Sequence, residues 1–255
     1  MKIAICQYDM AWEDKEANKG KISKLMDACS KKGQVEWLVF PEMTLSAFSM
    51  NRAVATLSPG DEAFFGDLAR KHGLAVSYGG VQDGFNKLIT LDKTGRKISE
   101  YSKIHLYSFG KEDQGYRPGE KQTTFALGGL SVTPAICFDL RFPYLFWRTA
   151  EQTDLFVVIA SWPMRRAEHW MTLLRARAVE NQAYVVGVNR IGVEPSGVEY
   201  SGNSMIFDPL GKVVLDCVSN EGVFIAETDA DKGLVSKTRE RFPFFKDRRK
   251  EPAFA

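Results

Sequence analysis

Apolar strand-like runs and amphipathic helical stretches alternate on both sides of a central block of hairpins, and this order constrains the fold more than any other property of the chain. Residues 2–9 form a first apolar run. Ile22, Leu25, Met26 and Cys29 then recur at helical spacing up to Gly33, and residues 36–40 give a second buried run. Pro59-Gly60-Asp61 opens a helix with Phe64, Phe65 and Leu68 on one face, closed at His72-Gly73. Strands follow at 74–82, 87–92 and 97–101, the last two joined by a turn at 93–96. Beyond a long loop at 105–119, strands at 123–127 and 132–137 lead into a helix over about 139–150 and a strong strand at 154–161. A helix at 167–181, a strand at 183–191, a hairpin at 204–208 and 212–216, a strand at 222–228 and a charged helical tail at 229–241 complete the pattern. Two layers of sheet with helices outside satisfy it.

The length of 255 residues suits one large α/β domain over 1–255, since no stretch rich in Pro, Ser or Gly reads as a linker. A net charge of +2 argues against a nucleic-acid partner, so the cluster Lys246, Arg248, Arg249 and Lys250 reads as a solvated tail. No apolar run is long enough to cross a bilayer, and the chain begins at once with a core-like strand, which points to a cytoplasmic protein. Cys6, Cys29, Cys137 and Cys217 form no C-x-x-C pair, which suggests neither a zinc site nor a disulfide framework. Cys6, Cys29 and Cys217 read as packing residues.

Cys137 ends an apolar run and precedes a first helical turn in which Asp139 favours the N-terminus. Backbone N–H groups at such a turn have no helical partner and can hold an oxyanion. A lone cysteine after an apolar strand is commonly an inert core residue, and this stretch alone does not decide the matter. Of the three histidines, His72 closes a helix, His169 sits mid-helix, and His105 lies two residues from Lys103, so an imidazole base is a poor fit. Glu42, just past the end of a strand, offers a carboxylate base; held in an apolar pocket it would have a raised pKa. Lys103, delivered by the hairpin, offers a positive charge for thiolate and oxyanion. Each residue alone is weak, but together, each at the end of a β element, they form a pattern.

The segments Phe40-Pro41-Glu42-Met43, Tyr101-Ser102-Lys103-Ile104-His105-Leu106-Tyr107 and Ile136-Cys137-Phe138-Asp139-Leu140-Arg141-Phe142-Pro143 resemble the nitrilase superfamily of carbon–nitrogen hydrolases. The segments at 162–170, 175–182 and 200–204 resemble its bacterial omega-amidases in particular. The resemblance implies an α/β fold, a four-layer α-β-β-α sandwich, usually dimerised through helices, and hydrolysis of the terminal amide of short dicarboxylic monoamides without metal or organic cofactor. It places the general base on Glu42, an oxyanion donor on Lys103 and the nucleophile on Cys137, with Glu112, upstream of Pro118-Gly119, as a further positioning carboxylate.

The Phe138 backbone N–H would complete the oxyanion site. A substrate carboxylate would need Arg166 or Arg141, the latter alternatively orienting the carboxyl groups of the triad. Phe48, Met43 and Trp162 would wall the pocket. N-carbamoyl amino acid amidohydrolase, deaminated-glutathione amidase and nitrilase activities stay open on the same triad, as does a non-catalytic binding protein on the same fold.

Overall fold

Two six-stranded mixed sheets form the centre of the protein in a computed structural model that describes residues 1–29 and 35–249. Gly33, Lys250 and the side chain of Cys29 lie outside what is described. The first sheet contains β1 (Ile3–Gln7), β2 (Trp37–Val39), β3 (Ala75–Gln82), β4 (Phe85–Leu91) and β5 (Lys97–Ser102). The second contains β6 (Phe125–Leu127), β7 (Leu130–Ile136), β8 (Leu155–Ile159) and β9 (Tyr184–Val188). A small ribbon, β10 (Ile191–Val193) with β11 (Glu199–Ser201), follows; β12 (Met205–Phe207) and β13 (Val213–Asp216) return to the second sheet, and β14 (Gly222–Ile225) to the first. The orders are β14-β1-β2-β3-β4-β5 and β13-β12-β9-β8-β7-β6. In each sheet three parallel strands, β1-β2-β3 or β7-β8-β9, are flanked by antiparallel ones.

The parallel strands are apolar on both faces because both faces are covered. In β1 and β2, Ile3, Ile5, Trp37 and Val39 pack with Val132, Ile136 and Val157 of the second sheet. The alternate residues Ala4, Cys6 and Leu38 pack with Ile22 and Met26 of α1 (Lys15–Cys29). After a single turn, α2 (Arg52–Ala55), comes α3 (Pro59–His72), which adds Phe65 and Leu68 to this outer cluster. On the other side, Trp170, Leu174 and Ala178 of α6 (Ala167–Asn181) are buried with β8 and β9. Helix, sheet, sheet, helix is thus the layer order. Among the described residues, no helix is long and apolar enough to cross a membrane.

Three local expectations change. Residues 105–119 are not structureless: they hold a 3-10 turn, Ser108–Gly110, and a single turn, α4 (Glu112–Gly115). The helix expected over about 139–150 is split into a 3-10 turn, Cys137–Arg141, and α5 (Pro143–Thr149). Pro143 has no N–H to donate and keeps Phe142 out of the helical region, at φ −108° and ψ 93°. The basic tail after α7 (Lys232–Arg241) is not uniformly solvated. Lys246 and Arg249 are exposed, but the Arg248 guanidinium lies 3.9 Å from the Trp147 ring centroid and 4.0 Å from that of Phe245. Stacking on two rings holds it against the helical layer.

Candidate active site

The chemistry-bearing residues collect where parallel strands of both sheets end, the edge at which α/β sheets commonly place their sites. Glu42 follows β2, Cys137 follows β7, Ser161 and Trp162 follow β8, and Asn189 follows β9. Two antiparallel steps, β3 to β4 to β5, return the chain to the same direction, so Lys103 after β5 reaches the same edge. Asn86, near the start of β4, stands opposite it, and the Lys103 N–H donates to the Asn86 carbonyl at 2.9 Å.

Glu42, Lys103 and Glu112 are fully buried and in contact. The Lys103 ammonium donates to Glu42 Oε1 at 2.9 Å and to Glu112 Oε1 and Oε2 at 3.0 and 2.8 Å. Asn86 Nδ2 donates to Oε1 of both carboxylates, each at 2.8 Å. Backbone N–H groups complete the set: Ser161 to Glu42 Oε2 at 2.9 Å, and Tyr107 to Glu112 Oε2 at 2.7 Å. Burial works against the Lys103 charge, but Glu112 and Glu42 outweigh it and hold the ammonium well above the ordinary lysine range. The Phe48 ring lies 5.4 Å from Nζ. The setting of Glu42 therefore differs from the apolar pocket expected, because three donors converge on its carboxylate.

Close backbone approaches hold these loops. A Cβ at Gly79 of β3 would stand 2.5 Å from the Met43 nitrogen, so the Glu42 turn can seat on the sheet only over glycine. Gly119 likewise lies on Ser102 and donates to the Lys103 carbonyl at 2.7 Å.

Cys137 sits in the left-handed region at φ 46°, costly for a residue with a Cβ and a recurrent feature of functional turns. Asp139, also fully buried, clasps this turn to the Lys103 loop. Its carboxylate accepts from Ile136 N at 3.0 Å and Tyr101 Oη at 2.7 Å, and from the backbone N–H of His105 at 2.9 Å. The His105 ring meets Asp139 at 2.8 Å, which explains why it serves the scaffold. Arg177 of α6 donates to the Leu140 carbonyl at 2.7 Å from the other side.

In front of Cys137 opens a cavity of about 900 Å³ whose lining includes Phe48, Tyr107, Phe138, Arg141, Ser161, Trp162, Arg166 and Tyr200. The Arg141 guanidinium lies over Trp162 at 4.6 Å, and Arg166 donates to Tyr107 Oη at 3.3 Å. Among the described residues neither arginine has an acidic partner. Glu13 and Glu194 elsewhere on the wall accept from Ser49 and Asn51, and from Ser196 and Tyr200. Burial, and then the neighbouring charge of Arg166, lower the Arg141 pKa.

The family model described as carbon-nitrogen hydrolase matches residues 2–236. The chain belongs to the carbon-nitrogen hydrolase family. It is 34% identical to omega-amidase YafV of Yersinia enterocolitica, over 97% of this chain and 96% of the relative. It is 31% identical to a 2-oxoglutaramate amidase of Bacillus subtilis over 98% of each chain. Among solved structures, a CN-hydrolase superfamily protein from Xanthomonas campestris, with an arsenic adduct in its active site, superposes with a TM-score of 0.90. It is 30% identical and the match covers 99% of this chain and 98% of that one. The protein is thus an enzyme that hydrolyses carbon–nitrogen bonds other than peptide bonds, on the α-β-β-α sandwich.

Within this carbon-nitrogen hydrolase the structure brings Glu42, Lys103 and Glu112 into one cluster behind Cys137, and puts Phe48, Phe138, Arg141, Trp162 and Arg166 on the cavity wall. Glu120, the other acidic residue near Pro118-Gly119, is exposed. Two expectations are corrected. Met43 is fully buried and packs with Ala55, Val81 and Tyr116, away from the cavity wall, because its turn faces back into the first sheet. Arg141 does not reach the carboxylates; it stacks on Trp162, and Asn86 and Lys103 occupy the place that role required.

Sequence reasoning missed Asn86, Ser161 and Asn189. Asn189 pins Trp162 through both backbone groups, accepting from N at 2.8 Å and donating to O at 3.0 Å. Ser161 and the end of the 183–191 strand carried a signal, since strand ends had already marked Glu42 and Cys137. Asn86 carried none without the β4–β5 register.

Burial first, and then the charge of Glu42, push the Cys137 thiol well above the ordinary thiol range; Lys103 acts in the opposite sense with less effect. One cation among two carboxylates leaves a negative surplus beside the sulfur. An acid with a raised pKa stays protonated below it, so the resting hydrolase should hold a thiol at neutral pH. The far-ultraviolet difference spectrum between the wild type and Cys137→Ala is expected to lack a thiolate band from about pH 6 to about pH 8. A band of one thiolate per chain at neutral pH would contradict this.

Proposed function

We propose that this hydrolase cleaves the terminal amide of short dicarboxylic monoamides, such as 2-oxoglutaramate and 2-oxosuccinamate, to the acid and ammonia. The observation that carries the reading is a cavity lined by a buried thiol and by two arginines that have no acidic partner among the described residues. The names of the relatives, omega-amidase and 2-oxoglutaramate amidase, support it.

Cys137 attacks the amide carbonyl while Glu42 takes the thiol proton, so the thiolate forms only as the bond forms. The oxyanion is received by the Phe138 N–H and by Lys103. Lys103 spends two of its N–H groups on Glu112, so one can turn to the oxyanion while Glu112 keeps the other. Glu42 returns the proton to the leaving nitrogen, ammonia departs, and water on the same carboxylate opens the thioester. Glu112 positions Lys103 and no cofactor takes part. The reading includes a cytoplasmic homodimer, for which size-exclusion chromatography is the direct check.

A panel of dicarboxylic monoamides, ureides, nitriles and deaminated glutathione, scored by ammonia release with Cys137→Ala as control, tests the activity. The last compound belongs there because the cavity exceeds the needs of a five-carbon amide and a deaminated glutathione amidase of Dictyostelium discoideum is 33% identical over 198 residues. Arg166→Ala is expected to raise the Michaelis constant for 2-oxoglutaramate about 10- to 100-fold, with little change for an uncharged amide. An unchanged constant would remove Arg166 as the carboxylate anchor.

A further inference from the structure

The two oxygens of Glu42 are not equivalent. Oε1 receives both Lys103 and Asn86, which fills its two acceptor directions. Among the described residues Oε2 receives only the Ser161 N–H, which leaves one direction open. Proton traffic through Glu42 therefore runs on Oε2, the oxygen beside Ser161.

The Ser161 hydroxyl has no use in the mechanism above. It is buried, at 6% exposure for the residue, and its Oγ has no hydrogen-bond partner among the described residues. A buried hydroxyl left without a partner is costly and calls for an explanation. Ser161 also lines the cavity beside Cys137, and its own N–H donates to Glu42 Oε2 at 2.9 Å. The orphan hydroxyl thus belongs to the residue whose N–H holds the base and which shares the cavity lining with the nucleophile. Its backbone is fixed by the adjoining Trp162, which Asn189 holds at both ends, so the hydroxyl's reach is limited to the rotamers about its own Cα–Cβ bond.

The geometry points to Ser161 as the residue that positions the hydrolytic water, with its Oγ and Glu42 Oε2 gripping that water for attack on the thioester. This rests on the thioester reading of the preceding subsection. In the step, one water O–H bond breaks and its proton passes to Oε2 as the new C–O bond forms. The C–S bond then breaks, and the proton moves from Oε2 to the departing sulfur, giving the free acid and the Cys137 thiol. Acylation uses the sulfur, Glu42, the Phe138 N–H and Lys103, and asks nothing of the Ser161 hydroxyl.

The test is nucleophile partitioning in Ser161→Ala with succinamate, which lacks the 2-oxo group that hydroxylamine would convert to an oxime. Hydroxylamine opens the thioester to a hydroxamate and brings its own strong nucleophile, so it depends less on a water site. The hydroxamate-to-acid ratio at fixed hydroxylamine is independent of how much enzyme folds. It is expected to rise about 10-fold over the wild type, while the first-turnover burst of ammonia keeps its rate and steady-state hydrolysis slows. An unchanged ratio, or a burst slowed as much as the steady state, would overturn the assignment. A wild type that yields neither burst nor hydroxamate would instead sink the thioester reading itself.

Discussion

Lys103→Met is expected to abolish turnover and to lower stability by about 3–5 kcal/mol, the usual result of removing one partner from a buried ion pair. The side chain keeps its bulk, so packing is not the cause. Glu42 and Glu112, both without solvent exposure, would face each other with only Asn86 between them. Two buried carboxylates then face each other without the cation that had separated them, which is the source of the expected loss. The stability gap to the wild type is measured by urea unfolding at neutral pH. Equal midpoints at neutral pH would mean that Lys103 is not what keeps the two carboxylates together.

Cys137→Ala is expected to lower ammonia release by about 10⁴-fold or more, since among the described residues Cys137 supplies the only thiol lining the cavity. Alanine meets the same φ of 46° that cysteine does, so the strain of the turn is unchanged and the melting temperature should move by only a few degrees. Mass spectrometry after mixing with 2-oxoglutaramate should find the acyl mass on the wild type alone. Substantial turnover by the purified variant would displace Cys137 as nucleophile.

What the chain states locally and what it leaves open divide along a physical line. Runs of apolar residues end abruptly before Glu42 and Cys137, and the hairpin ahead of Lys103 is closed by a local turn, so these positions were legible as strand ends. Helix starts and stops at Pro59 and Gly73 were legible for the same reason, because capping and backbone preference act within one turn. The layered order followed from the alternation of elements.

Three-dimensional packing decided the rest. That Asn86 bridges both carboxylates depends on which residue of β4 stands across from Lys103, a register set by pairing rather than by either segment alone. Ser161 meets Glu42 across 119 positions of sequence because the parallel strands of the two sheets end together. Arg141 stacks on Trp162 rather than on the acids, and Met43 turns into the core, because their neighbours come from distant strands. The sequence by itself determined the strand ends and the residue types placed on them, since burial and turn preference are local. Which of those groups share a proton, a donor or an open face was decided only by tertiary structure, because hydrogen bonds and charge interactions act over a few ångströms in space and are blind to distance along the chain.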